Sequence, residues 1–397
     1  MPLAGKDFFV RKARQHLYMA LGWLKPKHLI LRLIYLGIGI FVGILLAQRA
    51  EVLRFLSPAP KSLVSARIFT DTNVSELISI HNPQEATAKR DELVKFIWGS
   101  GGWPKETPAK VENAIRDERY ASLVNLKQID RLTVAMEWGL TSTAYHFVPS
   151  QPNGKLLVYQ GGHDGDFVVA KDLIAIFLKK GFGVLALSMP LEAPNNQPVV
   201  DLEGIGRIQL TFHDQLKFLK MKAGHPVQLL LTPVTVCLNH VQPLGYHAIY
   251  MTGVSGGGWT TTVYSALDPR ITRSYPVAGS LPLHLREDRD RSNSAQRGAD
   301  WGDYEQSIPE FYAIANYLDL YILSSLGEGR KQLQILNKYD PCCLAGESFR
   351  TYEGVVNDRV RSLGGGSFAV FLDTKNRHHS ISDNAVEAIL NDINTGR

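Results

Sequence analysis

The arrangement of apolar and polar positions divides this chain into stretches of different character. Residues 29–47 are apolar apart from Arg32 and show no polar face. A run of that length suits the ~20 helical residues that cross a bilayer core. Ser57-Pro58-Ala59-Pro60 then stops any continuation of that helix. Residues 48–120 read as a connector or accessory region, with helical character from Ala86 to Trp98 ended by the turn from Gly99 to Pro104. Beyond Leu126 the pattern turns to strands. Ile129–Met136 and Ser142–Val148 suit an antiparallel pair, and Lys155–Tyr159 is an apolar strand. A helical run from Phe167 to Lys180 follows, with Asp166 as its cap and Gly181 as its stop. Gly183–Ser188 reads as a strand, while Gly206–Met221 and Leu229–Val241 read as helices, the second distorted by Pro233. A bulky, alternating stretch from His247, the segment from Gln332 and Ser367–Leu372 complete the strands, with a helix at the end. Strands alternating with helices predict an α/β domain, residues 121–397, with a mostly parallel sheet flanked by helices.

Charge changes the picture at one end only. Residues 1–32 hold seven basic residues against Asp7 alone, more than the net +5 of the whole chain, so the remainder is close to neutral. Nothing in it forms a basic groove, and no nucleic-acid partner is expected. Residues 1–28 read as a basic tail, and 29–47 as an uncleaved signal anchor rather than a cleaved peptide. The tail is long for a signal peptide, and the small-x-small site near Ala47 is poor. Basic residues flank both sides of the span: Lys25, Lys27 and Arg32 before it, Arg49, Arg54 and Lys61 after it. A short basic tail resists translocation and a long domain does not, so the tail is expected in the cytoplasm and the large domain outside, in a bacterial periplasm or its equivalent. Gly39 and Gly43 form a G-x-x-x-G pair able to seat a dimer.

The cysteines are Cys237, Cys342 and Cys343. Outside the cytoplasm Cys237 can pair with one of the other two and leave an odd thiol; three buried, inert thiols are the alternative. No C-x-x-C and no histidine pair at ligand spacing accompanies them, so no metal site is expected.

The candidate chemistry centres on His247–Ser265. A strand there runs into Gly253-Val254-Ser255-Gly256-Gly257, a G-x-S-x-G match, and then into a segment able to form a helix. Strand, tight turn and helix are what a nucleophile elbow requires: the Ser255 hydroxyl stands above the sheet, and the Gly256 amide points where an oxyanion would form. From about residue 125 onward the chain resembles the α/β-hydrolases, near their secreted-esterase, dienelactone-hydrolase and prolyl-peptidase-like groups. The resemblance implies a catalytic serine, acid and histidine in that chain order. It points to Asp340, at the end of the strand from Gln332, as the acid, with Asp303 and Asp373 as alternatives. His379, just before Ser380-Ile381-Ser382, is the implied base, with His378 as the alternative.

Gly161-Gly162-His163-Asp164-Gly165 resembles the His-Gly-x-Gly-Gly loop of such esterases, with Gly161 where their first histidine stands. By that resemblance the His163 amide is the second oxyanion donor; its side chain is not read as a ligand. Residues 283–326 read as an insertion over the site, opening with the charge run His284–Arg291. Trp301, Tyr304, Phe311 and Tyr312 either line a substrate pocket or pack the insertion's own core. The expectation is a membrane-anchored serine esterase, working without cofactor on a small-molecule, lipid or glycan ester. A peptidase or amidase, an acyltransferase and a non-catalytic binding module on the same fold are the alternatives.

Overall fold

The apolar runs become the middle of a twisted sheet, and the antiparallel pair becomes its flank. The computed structural model describes residues 69–163, 165–286 and 303–395. Strands β1 (Lys110–Glu112), β2 (Leu126–Ala135) and β3 (Thr141–Pro149) run antiparallel along one side. They continue into β4 (Lys155–Gln160), β5 (Gly183–Leu187), β8 (Ala248–Val254), β9 (Ile271–Val277), β10 (Lys331–Asn337) and β11 (Ser367–Asp373). The spatial order is β1-β2-β3-β5-β4-β8-β9-β10-β11, and every pairing from β5 to β11 is parallel. All of β5 is buried, as expected of a parallel strand covered on both faces. A separate antiparallel hairpin joins β6 (Val199–Leu202) to β7 (Gly206–Gln209).

Helices cover both faces because the strand side chains alternate between two cores. Leu157 and Tyr159 of β4 pack with Ile174 and Phe177 of α2 (Lys171–Lys179) and with Ala385 and Ile389 of the final helix (Asp383–Thr395). Leu156 and Val158 face the other way, where Val234 and Leu238 of α3 (Gln228–Val241) and Trp259 and Val263 of α4 (Gly256–Leu267) join α5 (Pro309–Ile314) and α6 (Tyr317–Ser325). Each such fully buried side chain contributes about 1.5–3 kcal/mol.

Every residue of α4 is buried, so its hydroxyls need internal partners. Thr260, Thr261 and Thr262 donate back to the carbonyls of Gly256, Gly257 and Gly258 at 3.0, 2.8 and 3.1 Å. The helix also sits very close to β4: a Cβ at Gly257 would lie 2.1 Å from the Gln160 carbonyl oxygen, a contact only glycine permits.

The described residues before β1, from 69 on, pack onto this body. Helix α1 (Pro83–Trp98) starts with the Asn82 side chain accepting from the Glu85 amide at 2.9 Å, and buries Leu93 and Ile97 in the core. From it Arg90 reaches the Ala266 and Leu323 carbonyls at 2.9 and 3.2 Å, tying α1 to the ends of α4 and α6.

Three expectations change. Gly206–Met221 is not one helix: β7 takes its first four residues, and only a short 3-10 turn, His213–Phe218, is helical. Gly204 and Gly206 adopt φ of 74° and 93°, which turns the chain into a hairpin. Strand β9 was not expected, since Arg273, Ser274 and Pro276 interrupt its apolar pattern. Cys237 pairs with neither other cysteine: it is buried and free in α3, with its thiol pKa pushed up by burial, and Cys342 is bonded to Cys343. The basic tail, the apolar span 29–47 and the Gly39/Gly43 pair lie outside the described residues. Among those described, no helix is long and apolar enough to cross a membrane.

Candidate active site

Parallel pairing brings four loops out at one edge of the sheet. Gln160 lies opposite Gly253, Gly253 opposite Pro276, and Asn337 opposite Asp373, so the loops after β4, β8, β10 and β11 leave from neighbouring strand ends. Such carboxyl-terminal edges are where open α/β sheets place their ligands. His163, Ser255, Asp340 and His379 lie on those four loops.

Ser255 occupies the turn between β8 and α4 with φ 58° and ψ −126°, a conformation strained for any residue with a side chain. The surroundings enforce it. The Ser255 amide donates to the Val277 carbonyl at 3.0 Å, and the Ser255 carbonyl accepts from Trp259 at 2.9 Å as the first turn of α4. The Gly256 amide, at the start of that helix, has no intrahelical acceptor. The loop after β4 presses on this turn: a Cβ at Gly162 would lie 2.6 Å from the Val254 carbonyl oxygen and 2.9 Å from Ser255 Cβ. The His163 ring lies beside Gly256, where a Cβ would meet its Cε1 at 2.6 Å.

Asp340 and His379 meet across the ends of β10 and β11. His379 Nδ1 lies 2.8 Å from Asp340 Oδ2. The other oxygen, Oδ1, accepts from the Cys342 and Cys343 amides at 2.8 and 3.2 Å. The Asn337 side-chain amide donates to Asp340 Oδ2 and to the carbonyls of His378 and Ser380, at 3.3, 3.3 and 3.2 Å, clamping the acid's loop to the histidine's. Asp340 is buried, while His379 keeps 14% of its side chain exposed. The other nitrogen, His379 Nε2, meets Cys343 Sγ at 4.0 Å and makes no hydrogen bond to Ser255.

The alternative residues take other places. Asp373 is buried at the end of β11, accepting from the Lys375 and Asn376 amides at 2.8 and 3.0 Å and from the Ser382 hydroxyl. Burial works against its charge, but these donors outweigh it and hold its pKa below the usual value. It shapes the His379 loop without touching the ring. His378 is exposed. Asp303 Oδ2 lies 3.4 Å from His163 Nδ1. Of the expected pocket residues, Trp301 lies outside the described residues. Tyr304 lines a cleft of about 620 Å³ with Asp303, His225 and Glu310, and stacks on His225. Phe311 is fully buried against Phe96 and Tyr312, so it packs the core. Tyr312 accepts from the Trp259 indole and donates to the Glu305 carbonyl, both at 2.8 Å, bracing the insertion against α4.

No protein-family model and no curated protein matches this chain. Solved structures do. Acetyl xylan esterase 1 from Thermoanaerobacterium sp. JW/SL YS485 superposes with a TM-score of 0.50 at 14% identity, over 80% of this chain and 96% of that one. The methylesterase BT1017 reaches 0.50 at 15% identity, over 80% of this chain and 65% of its own. The fold is that of the α/β-hydrolases. Within this hydrolase fold a second histidine–carboxylate group gathers beside the elbow, and the chain pattern did not signal it. His163 Nε2 lies 2.8 Å from His213 Nδ1, and Glu305 approaches the two at 3.7 Å each. His213 stands 50 residues from His163, in a segment that reads as helix, and Glu305 belongs to the insertion. No local spacing connects the three. Burial opposes charge on both His213 and Glu305, yet their mutual attraction prevails, lifting the histidine pKa and lowering that of the carboxyl.

Proposed function

We propose that this protein is a membrane-anchored serine hydrolase that cleaves carboxylic esters through an acyl-enzyme. Ser255 attacks the acyl carbonyl, and His379 Nε2 takes its proton and passes it to the leaving alcohol. Asp340 holds the His379 Nδ1–H and stabilises the imidazolium that forms. The Gly256 and His163 amides receive the oxyanion, each worth about 3 kcal/mol in the transition state. Water then resolves the acyl-enzyme by the same proton path in reverse.

The observation that carries this reading is the strained serine at the strand–helix turn, on the same sheet edge as a buried aspartate hydrogen-bonded to a histidine at 2.8 Å. His379 Nε2 and the serine hydroxyl have still to close on each other, as catalytic hydrogen bonds commonly do only once substrate is bound. The names of the two fold neighbours, an acetyl xylan esterase and a methylesterase, favour an ester with a small acyl or alcohol group. The basic tail and apolar span support an anchor at residues 29–47, with the hydrolase domain outside the cytoplasm.

The test uses the full-length protein in detergent, wild type beside Ser255→Ala, with p-nitrophenyl esters of increasing acyl length and a fluorophosphonate label. Wild type turns over short esters and labels; Ser255→Ala loses the label and at least ~10⁴-fold in kcat. A folded wild type that neither labels nor turns over sinks the proposal.

A further inference from the structure

The group of His163, His213 and Glu305 has the anatomy of a metal centre. Glu305 is fully buried, and neither of its carboxylate oxygens accepts a hydrogen bond. A buried carboxylate in that condition bears a desolvation cost of several kcal/mol that only a close positive charge offsets. The two nearest groups turn nitrogens toward it. His213 Nε2 donates to the Pro190 carbonyl at 2.7 Å, which leaves the lone pair of a neutral ring on Nδ1, facing His163 and Glu305. A ring nitrogen pinned to a backbone carbonyl while the other faces inward is the usual arrangement of a metal-bound histidine. On the outer side of His163, Asp303 Oδ2 lies 3.4 Å from Nδ1, a charge beside the ring rather than a hydrogen bond to it.

His163 Nε2 and His213 Nδ1 are 2.8 Å apart, and Glu305 turns one oxygen to each, Oε1 to His163 and Oε2 to His213, both at 3.7 Å. Donor atoms around a tetrahedral zinc ion with ~2.0–2.1 Å bonds lie about 3.3 Å apart, between the nitrogen–nitrogen and nitrogen–oxygen spacings found here. His163 keeps 25% of its side chain exposed, which gives an ion a way in. A second gathering of potential ligands, Asp340, Cys342, Cys343 and His379, does not compete. Its sulfurs are joined to each other, and only a free thiolate binds metal.

We propose that His163 Nε2, His213 Nδ1 and a Glu305 carboxylate oxygen bind one divalent transition-metal ion of the zinc class, leaving a fourth position for water. Two neutral imidazoles and one carboxylate are a donor set that zinc takes, and the ion supplies the positive charge that Glu305 otherwise finds only at 3.7 Å. It ties together three segments distant in sequence: the loop after β4, the turn at His213 and the insertion that carries Glu305.

The test takes the full-length protein in detergent, stripped with a chelator, and titrates it with Zn²⁺, counting bound metal by elemental analysis. Co²⁺ serves as a visible-absorption reporter of coordination. Wild type binds one Zn²⁺ per chain, and its Co²⁺ form shows the intense bands of a four-coordinate site. Glu305→Gln and His213→Gln each lower affinity at least ~100-fold, and Asp303→Asn about 10-fold. Should a buried variant fail to fold, His163→Gln, at the partly exposed position, reads out the same loss. A folded wild type that binds no Zn²⁺ overturns the proposal, and so does binding that survives both Glu305→Gln and His163→Gln. Neither readout passes through ester hydrolysis, so the metal site and the Ser255 mechanism stand or fall separately.

Discussion

Two groups that set a buried carboxylate against imidazole sit at this sheet edge, and they differ in how the carboxylate is served. Asp340 accepts from two backbone amides and from Asn337, and spends its remaining capacity on one imidazole at 2.8 Å. Glu305 accepts nothing and faces two imidazoles at 3.7 Å. A carboxylate already held by donors is an orienting group: its position is fixed before the histidine arrives, so the ring is set in one tautomer. A buried carboxylate with no donors is an unfinished group, and its geometry makes sense once a cation lies between it and the rings. Hydrogen-bond satisfaction, more than residue identity, separates a proton-relay arrangement from a ligand arrangement.

The comparison can be broken most severely at Asp340. Asp340→Asn keeps the shape but presents the wrong partner to His379 Nδ1, and kcat should fall ~10⁴-fold while bound Zn²⁺ stays at one per chain. A loss below ~10-fold would mean that the Asp340–His379 pair is structural. Gly162→Ala comes next, because its new methyl would lie 2.6 Å from the Val254 carbonyl oxygen and push the His163 loop off the elbow. A loss of about 10²–10³ in kcat with little change in KM is expected, as for removal of one oxyanion donor.

His146 extends the comparison to a histidine whose carboxylate is farther off. Its Nε2 bonds the Tyr246 hydroxyl at 2.7 Å, and Asp130 stands 3.8 Å from Nδ1. Burial, only partly opposed by Asp130, pushes its pKa down to about 4. The unfolded chain takes that proton near pH 6.5 and the folded one only near 4, so stability falls as pH drops across this window. The effect is on the order of 3 kcal/mol. His146→Gln should flatten that part of a stability-against-pH curve; an unchanged slope would refute the assignment. The smallest effect is thermal. Zn²⁺ at ~100 times its dissociation constant adds about 2.7 kcal/mol, raising Tm by a few degrees in wild type and Asp340→Asn but not in Glu305→Gln.

Much of the first group was legible in the chain. Ser255 announced itself by glycines at the turn, by the buried strand before it and by the helix-forming segment after it. Asp340 and His379 came from the resemblance to the α/β-hydrolases, helped by their places just past apolar strands, since parallel strands deliver their ends to one edge. The second group was not legible. Glu305 and His213 sit in an insertion and a short turn, where no periodicity marks which side chains point inward. The strand Ile271–Val277 escaped for a related reason: Thr272 and Arg273 are answered by neighbours rather than exposed. Arg273, for example, pairs with Asp392 at 2.7 Å.

What the sequence determined by itself is local and repetitive: the alternation that makes strands and the glycines that admit a close turn. These are properties of neighbours along the backbone, set by sterics and by burial of one face. The tertiary structure alone decided which polar groups meet once buried. Asn337 clamps two loops, Cys342 bonds to Cys343 while Cys237 stays free, and Glu305 is carried to the two imidazoles without a donor of its own. Such meetings depend on distances between residues far apart in the chain, and those distances exist only after the core has closed.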